Sequence, residues 1–314
     1  MTFDIIGDIH GHAESLTRLL RTLGYRERAG VFFHPDEERH VLFVGDFIDR
    51  GPDIVLTLEI VRRMIDHGTA RAVLGNHEYN ALCFHHSHAD SSDRWLRPRS
   101  DKNIRQHLET LYQFRHNQTR LHEHLEWFVG LPLFLDLGVI RVVHAAWHQD
   151  SIRLVTELTG GENRMDERFL LASADRRRPE YDAVEAILKG VEVELPQGAT
   201  YLDKDGHERH RTRGAWWMDW SGRTYGEIHF PVNNIGGADA ADIPIPAAEA
   251  RRFSGYRDAV PVFFGHYWLT GASPRVQAYN ACCVDYSVAR GGALAAYTWS
   301  GERELSAERF TLSH

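Results

Sequence analysis

The sequence predicts an α/β protein, and three observations carry that reading. A short apolar run that stops at a glycine occurs three times: residues 3–6 before Gly7, 41–44 before Gly45 and 70–74 before Gly75. Each glycine opens a polar turn, and each turn leads into a segment with apolar residues at helical spacing. A run of this kind bounded by glycine reads as a buried strand, and strand, polar turn and helix together open a βαβ unit. The polar residues then sit at the C-terminal edge of a sheet, where open α/β sheets place their ligands.

Composition bounds the rest. A chain of 314 residues, 43% of them hydrophobic, can bury a large core. A net charge of −8 and a pI near 6.2 argue against a wide electropositive surface, so no extended nucleic-acid partner is expected. The first residues, MTFDIIGDIHGH, lack a basic leader region, and no apolar run reaches the roughly 18 residues a membrane helix needs. Cys83, Cys282 and Cys283 do not make a disulfide framework. The expectation is a cytoplasmic protein without a membrane partner. Histidine is the anomaly, with 20 copies.

In the first unit Asp8 and His10 lie two apart in an extended turn and can point the same way. A carboxylate and an imidazole there suit a borderline divalent ion such as manganese, iron or zinc. The plain alternative is that Asp8 caps the helix marked by Leu16, Leu19, Leu20 and Leu23. The second turn carries Asp46, Asp49 and Arg50 ahead of Pro52 and a helix from Asp53. Arg50 has a planar fork matched to phosphate oxygens, and its plain alternative is an ion pair with Asp49. The third turn holds Asn76, His77 and Glu78. Asn76 offers a neutral oxygen, and His77 can act as acid or base near neutral pH; simple capping is the alternative. For the bland reading to hold, all three turns must be ordinary at once, each at a strand's end.

The ordered motifs GDIHG (7–11), GDFIDRG (45–51) and GNHE (75–78) resemble the phosphoprotein-phosphatase branch of the calcineurin-like metallophosphoesterase superfamily. That branch includes Ser/Thr protein phosphatases and bacterial symmetrical diadenosine tetraphosphatases. Its pattern asks for two further histidines at strand ends. His144 follows an apolar hairpin over 133–143, and His266 follows a strand over 260–264. Ala145-Ala146-Trp147 and Tyr267 depart from the usual residues after these histidines, which puts the substrate pocket rather than the ligands in doubt.

The resemblance implies two mixed β-sheets packed as a sandwich flanked by helices, an α/β/β/α metallophosphoesterase fold. Residues 1–314 would form one domain, with an insertion over 150–258 as wall or lid of the site. It implies two divalent ions, manganese first, with iron, zinc or nickel as other candidates. Asp8 and His10 would hold one ion, Asp46 would bridge, and Asn76, His144 and His266 would complete the other. Arg50 would hold the phosphoryl group, and His77, oriented by Asp49, would protonate the leaving oxygen.

Within the insertion, a basic run ending at Arg213 precedes Trp216 and Trp217. Arginine for phosphate and an indole face for a base could bind a nucleotide; a packed aromatic cluster is the alternative. His85, His86 and His88 read as a solvated loop. Residues 101–114 and 119–129 read as helices, the second capped by Thr119. Residues 276–279, 281–285 and 293–299 read as three antiparallel strands, with Asp285 supporting a metal-ligand histidine.

The expected function is metal-dependent hydrolysis of phosphomonoesters, on a phosphoprotein or a small molecule, by a metal-activated water. Symmetrical cleavage of a dinucleoside tetraphosphate is the alternative. An inactive phosphate-binding module is the alternative of another class.

Overall fold

The computed structural model describes residues 1–88, 91–196, 199–202, 208–230, 241–271 and 273–313. Two mixed sheets form its centre. The first has five strands in the order Phe310–Leu312, Ala295–Trp299, Thr2–Ile6, Arg39–Phe43, Ala70–Ala72. Its last three are parallel, as the repeated strand–turn–helix units require. The second sheet runs Ala281–Cys283, Val262–Phe264, Arg141–Val143, Phe134–Asp136.

Period-two alternation turns these strands into a sandwich. Phe3, Ile5, Leu42 and Val44 face Val142, Phe263, Cys282 and Val284 in one apolar layer. The Phe263 and Tyr297 rings meet across it with centroids 5.0 Å apart. On the outer face of the first sheet, Ile6, Val41 and Phe43 pack with Leu16, Leu20, Ile54, Leu58 and Val61. Those residues lie on the Ala13–Thr22 and Ile54–Asp66 helices, whose apolar stripes the sequence shows. Asp53 caps the second helix by accepting the Leu56 amide at 3.0 Å.

Sequence and structure part at the C-terminus. Residues 276–279 form no strand, only an isolated bridge between Ala278 and Ala281. Ala281–Cys283 pairs parallel, not antiparallel, with Val262–Phe264, and Ala295–Trp299 crosses to the other sheet to pair with Thr2–Ile6. Alternation says which side chains share a face; it does not say which strand supplies the partner. The helices at Asp101–Gln113 and Gln118–Val129 match the expected ranges, but Asn117 rather than Thr119 is the cap, accepting the Arg120 amide at 3.1 Å.

Residues 150–258 contribute the greater part of the Gln149–Leu158 helix, then Glu167–Ala174 and Pro179–Lys189, followed by strands Glu192–Glu194 and Arg211–Arg213 paired antiparallel. They back the second sheet: the Ala145 amide donates to Ile187 O at 2.9 Å, and Trp216 Nε1 donates to Ala145 O at 3.0 Å. Ala145 and Tyr267, two of the departures from the family pattern, are thus where this segment packs.

Candidate active site

The three glycine turns meet at the C-terminal ends of the parallel strands. Gly45 and Gly75 let the turns touch: a Cβ on Gly75 would fall 2.2 Å from Asp46 N, and one on Gly45 2.5 Å from Gly75 N. Six non-glycine residues here have left-handed φ: His10 44°, Asp46 56°, Asp49 68°, Arg50 68°, His266 74° and Trp268 55°. Such conformations cost about 1–3 kcal/mol each and persist where the surroundings dictate them. Glu78 is part of that dictation. Its buried carboxylate accepts the amides of Asp46 (2.8 Å), Phe47 (2.8 Å), Ile48 (3.3 Å) and Gly75 (3.1 Å), fixing two turns at once.

Asp46 stands at the middle. His10 Nε2 is 3.5 Å from its Oδ2, and His144 Nε2 is 3.5 Å from its Oδ1. Asn76 Oδ1 is 3.0 Å from His144 Nε2 and 2.7 Å from His266 Nδ1. Both His10 and His144 give Nδ1 to a backbone carbonyl, Ile48 O at 2.9 Å and Val44 O at 2.7 Å. In a neutral imidazole that bond leaves the other nitrogen with a lone pair. The His144 nitrogen then faces the oxygens of Asp46 and Asn76, and buried His10 Nε2, which has no hydrogen-bond partner among the described residues, faces Asp46. Lone pairs converging without protons between them are what a cation site requires. Ligand atoms of His10, Asp46 and His77 lie within 4.8 Å of one another, as do those of Asp46, His144 and His266. The donor set fits two divalent ions sharing Asp46.

Asp8 is buried beside this cluster, its oxygens taking the His266 amide at 3.2 and 3.0 Å. Burial first, and then the charges of Asp285 and Asp46, push its pKa well above the ordinary carboxylate range. Burial also pushes Asp46 up, but His144, His77 and His10 outweigh it and hold its pKa near 2. Burial, with His77 next, lowers His10 to about 3 and keeps it neutral at pH 7.

Beside the cluster His77 Nδ1 is 2.5 Å from Asp49 Oδ2, and His77 Nε2 is 3.4 Å from Arg50 Nη2. Asp49 is held from behind by His107 Nδ1 at 2.7 Å and Thr110 Oγ1 at 2.6 Å. Burial raises its pKa, yet the bonds from His107 and His77 prevail and keep it well below the ordinary carboxylate range. His107 in turn meets His85 at 3.2 Å between their Nε2 atoms. His85 therefore ends the Asn76–His85 helix and reaches this network, where a solvated loop was expected. His107, Thr110 and Glu78 were missed. The capping-box spacing Gly75 to Glu78 was a signal for Glu78; nothing local marks the other two.

Two expectations need correction. Trp216 and Trp217 are 5% and 7% exposed, packed on Phe264, Tyr256, Phe230 and Tyr267, so neither indole face is open to a base. Arg213 pairs in the half-buried strand edge with Glu192, 3.8 Å away. The aromatic cluster is core because it packs on the outer face of the second sheet at Phe264. Asp285, too, supports backbone rather than a histidine: it accepts the amides of Trp268 at 2.6 Å and Ser287 at 2.9 Å.

Residues 1–266 match the calcineurin-like phosphoesterase family. The chain belongs to that family. It is 31% identical over 145 residues to an asymmetrical bis(5'-nucleosyl)-tetraphosphatase of Oceanobacillus iheyensis, covering 46% of this chain and 55% of that protein. Against the enzyme of the same name from Halalkalibacterium halodurans it is 46% identical over 77 residues, 24% of this chain and 31% of that one. The chain thus spans about half or less of the curated relatives it matches. A serine/threonine phosphatase structure from Saccharomyces cerevisiae aligns with TM-score 0.50 at 14% identity, covering 99% of this chain and 78% of that one. At that identity the likeness concerns the fold. Among the described residues no helix is long and apolar enough to cross a membrane.

Proposed function

We propose that the chain hydrolyses a phosphoester or phosphoanhydride at a two-metal centre held by Asp8, His10, Asp46, Asn76, His144 and His266. The observation that carries this is the convergence of unprotonated donors on Asp46 beside the His77–Asp49 pair and Arg50. Bound divalent ions, manganese first, supply Lewis acidity and a nucleophile at neutral pH. Arg50 stabilises charge on the equatorial oxygens of the transferred group. His77, as an imidazolium with Nδ1–H held by Asp49, gives its Nε2 proton to the leaving oxygen and is left neutral, while Asp49, held by His107 and Thr110, fixes the ring's direction. Residues 150–258 serve as a buttress to the His144 and His266 loops within one catalytic domain.

Phosphomonoesters on a protein or small molecule fit this machinery. Dinucleoside polyphosphates are a second reading, supported by the names of the tetraphosphatase relatives. Chelation followed by manganese reconstitution tests the reaction. Activity on p-nitrophenyl phosphate or its bis ester should vanish and return; no rescued turnover on either would leave an inactive phosphate-binding module. His77→Asn should lower kcat by about 10²–10⁴ for a leaving group of high pKa and much less for p-nitrophenol.

A further inference from the structure

The Asn76–His85 helix leads away from the metal ligands, and one of its faces is met by cations that no motif marks. His77, Asn80 and Phe84 are spaced three and four apart and share that face. Asn80 stands about 4.5 Å and Phe84 about 10 Å beyond His77 along the axis. Each of the three is met by an arginine. Arg50 Nη2 is 3.4 Å from His77 Nε2, Arg97 Nη1 donates to Asn80 Oδ1 at 2.6 Å, and the Arg99 guanidinium carbon lies 5.0 Å from the Phe84 centroid. Backbone bonds fix where the last two begin. The Leu96 amide donates to His86 O at 3.0 Å and the Arg97 amide to Cys83 O at 2.9 Å, which ties the chain after the Ser91–Trp95 strand to the end of the helix. Side chains fix where they point. Arg97 Nη2 donates to Gln106 Oε1 at 2.7 Å, and the Arg99 guanidinium carbon lies 3.4 Å from the centroid of half-exposed Trp95.

We infer that Arg97, with Arg99 behind it, binds the phosphoryl group on the far side of the leaving oxygen, so that the site selects phosphoanhydrides over esters of uncharged alcohols. The inference rests on the reading of His77 as the group that protonates that oxygen. In an anhydride the same oxygen is bonded to a second phosphorus, which therefore lies just beyond His77, where Asn80 and Arg97 follow. Arg97 is suited to receive it. Among the described residues no carboxylate pairs with Arg97 or Arg99; the side-chain acceptors are the amide oxygens of Asn80 and Gln106 for one and Phe84 O for the other. Arg39 and Arg141, half-buried as Arg97 is, pair instead with Asp4 and with Asp136 and Asp258. A half-buried charge with neutral partners alone is costly, and an arriving anion supplies the missing counter-charge. A guanidinium has five donors, of which Arg97 spends two on Asn80 and Gln106, so the fork is aimed and still has N–H groups to give. Burial lowers its pKa while Cys83 and then Asp49 act to raise it, which puts the fork within the field of the His77–Asp49 pair. Residues 94–105 hold Arg94, Arg97, Arg99, Lys102 and Arg105 against Asp101 alone, a local positive field in a chain of net charge −8.

The test measures calorimetric binding of methylenediphosphonate and of methylphosphonate to the full chain with manganese in excess. The two probes differ by the second phosphoryl group. Arg97→Gln should weaken methylenediphosphonate about tenfold more than it weakens methylphosphonate. Arg97→Lys should restore part of that difference, because it keeps the charge and lacks the fork. Arg99→Gln removes an exposed charge without touching Asn80 or Gln106, and should cost methylenediphosphonate about threefold relative to methylphosphonate. Equal weakening of both probes would mean that Arg97 only holds the helix and its neighbours in place, and that overturns the inference. So does the absence of a selective loss in whichever of the two Gln variants folds, or a wild-type chain that binds neither probe. Failure of the reaction itself reads differently: no turnover of p-nitrophenyl phosphate by wild type, with the selective binding loss still present.

Discussion

Two clusters in this molecule are built from the same residue types and end in opposite states. Arg213, Trp216 and Trp217 are close in sequence, yet the tryptophans are buried and the arginine faces Glu192. Arg50, Trp268 and Arg290 come from three distant segments, yet they meet at the mouth of the site. The first cluster covers an apolar sheet face, and about 25 cal/mol per Å² of buried apolar area settles where its indoles go. The second is aligned by backbone bonds to Asp285 and by left-handed residues around His266, so its indole stays half-exposed. Adjacency of arginine and tryptophan in a sequence therefore says little; what lies beneath them decides.

The contrast can be broken by exchange of losses. Trp217→Ala should destabilise the fold by about 3–5 kcal/mol, read as a shifted denaturation midpoint, with KM unchanged for the folded fraction. A raised KM at undiminished stability would return that indole to the substrate. Arg50→Ala should lower kcat/KM on p-nitrophenyl phosphate by about 10²–10³, as loss of a charge-stabilising donor does, whereas Arg213→Ala should change it by less than about threefold. Steady-state kinetics on the pair would show at once if the assignment were reversed. Trp268→Ala should cost about 0.5–2 kcal/mol of transition-state stabilisation through a misaligned Arg50, with little change in melting temperature.

A separate effect comes from a residue in neither cluster and limits how the others are measured. His124 packs on Phe114 and Trp127, both ring nitrogens buried without a hydrogen-bond partner among the described residues. Burial, with Arg62 next, lowers its pKa from 6.5 to about 4. The unfolded chain thus binds the extra proton between those values, so the His124 contribution is whole above pH 6.5 and is lost as pH falls toward 4. The loss should be about 1–2 kcal/mol, and the difference between thermal melts at pH 7 and 5 should narrow by that share in His124→Leu, the remainder belonging to other buried histidines such as His10 and His85. Kinetic comparison of the two clusters belongs above pH 6.5.

The sequence by itself determined the strands, the three glycine turns and the order of the groups they carry. Those are local: an apolar run, a glycine and a polar turn are set by neighbours in the chain, and parallel pairing of successive units brings Asp8, Asp46 and Asn76 to one edge. His144 and His266 were legible only through the resemblance, because one strand-end histidine looks like another. Tertiary structure decided the rest. Glu78 became a clamp on two turns, and His107 and Thr110 became the backing of Asp49, because a helix from residue 101 packs there. The burial of Trp217 and the half-exposure of Trp268 are the plainest case. Identical side chains were sorted by the surface each one met, and that surface is assembled only when distant segments pack.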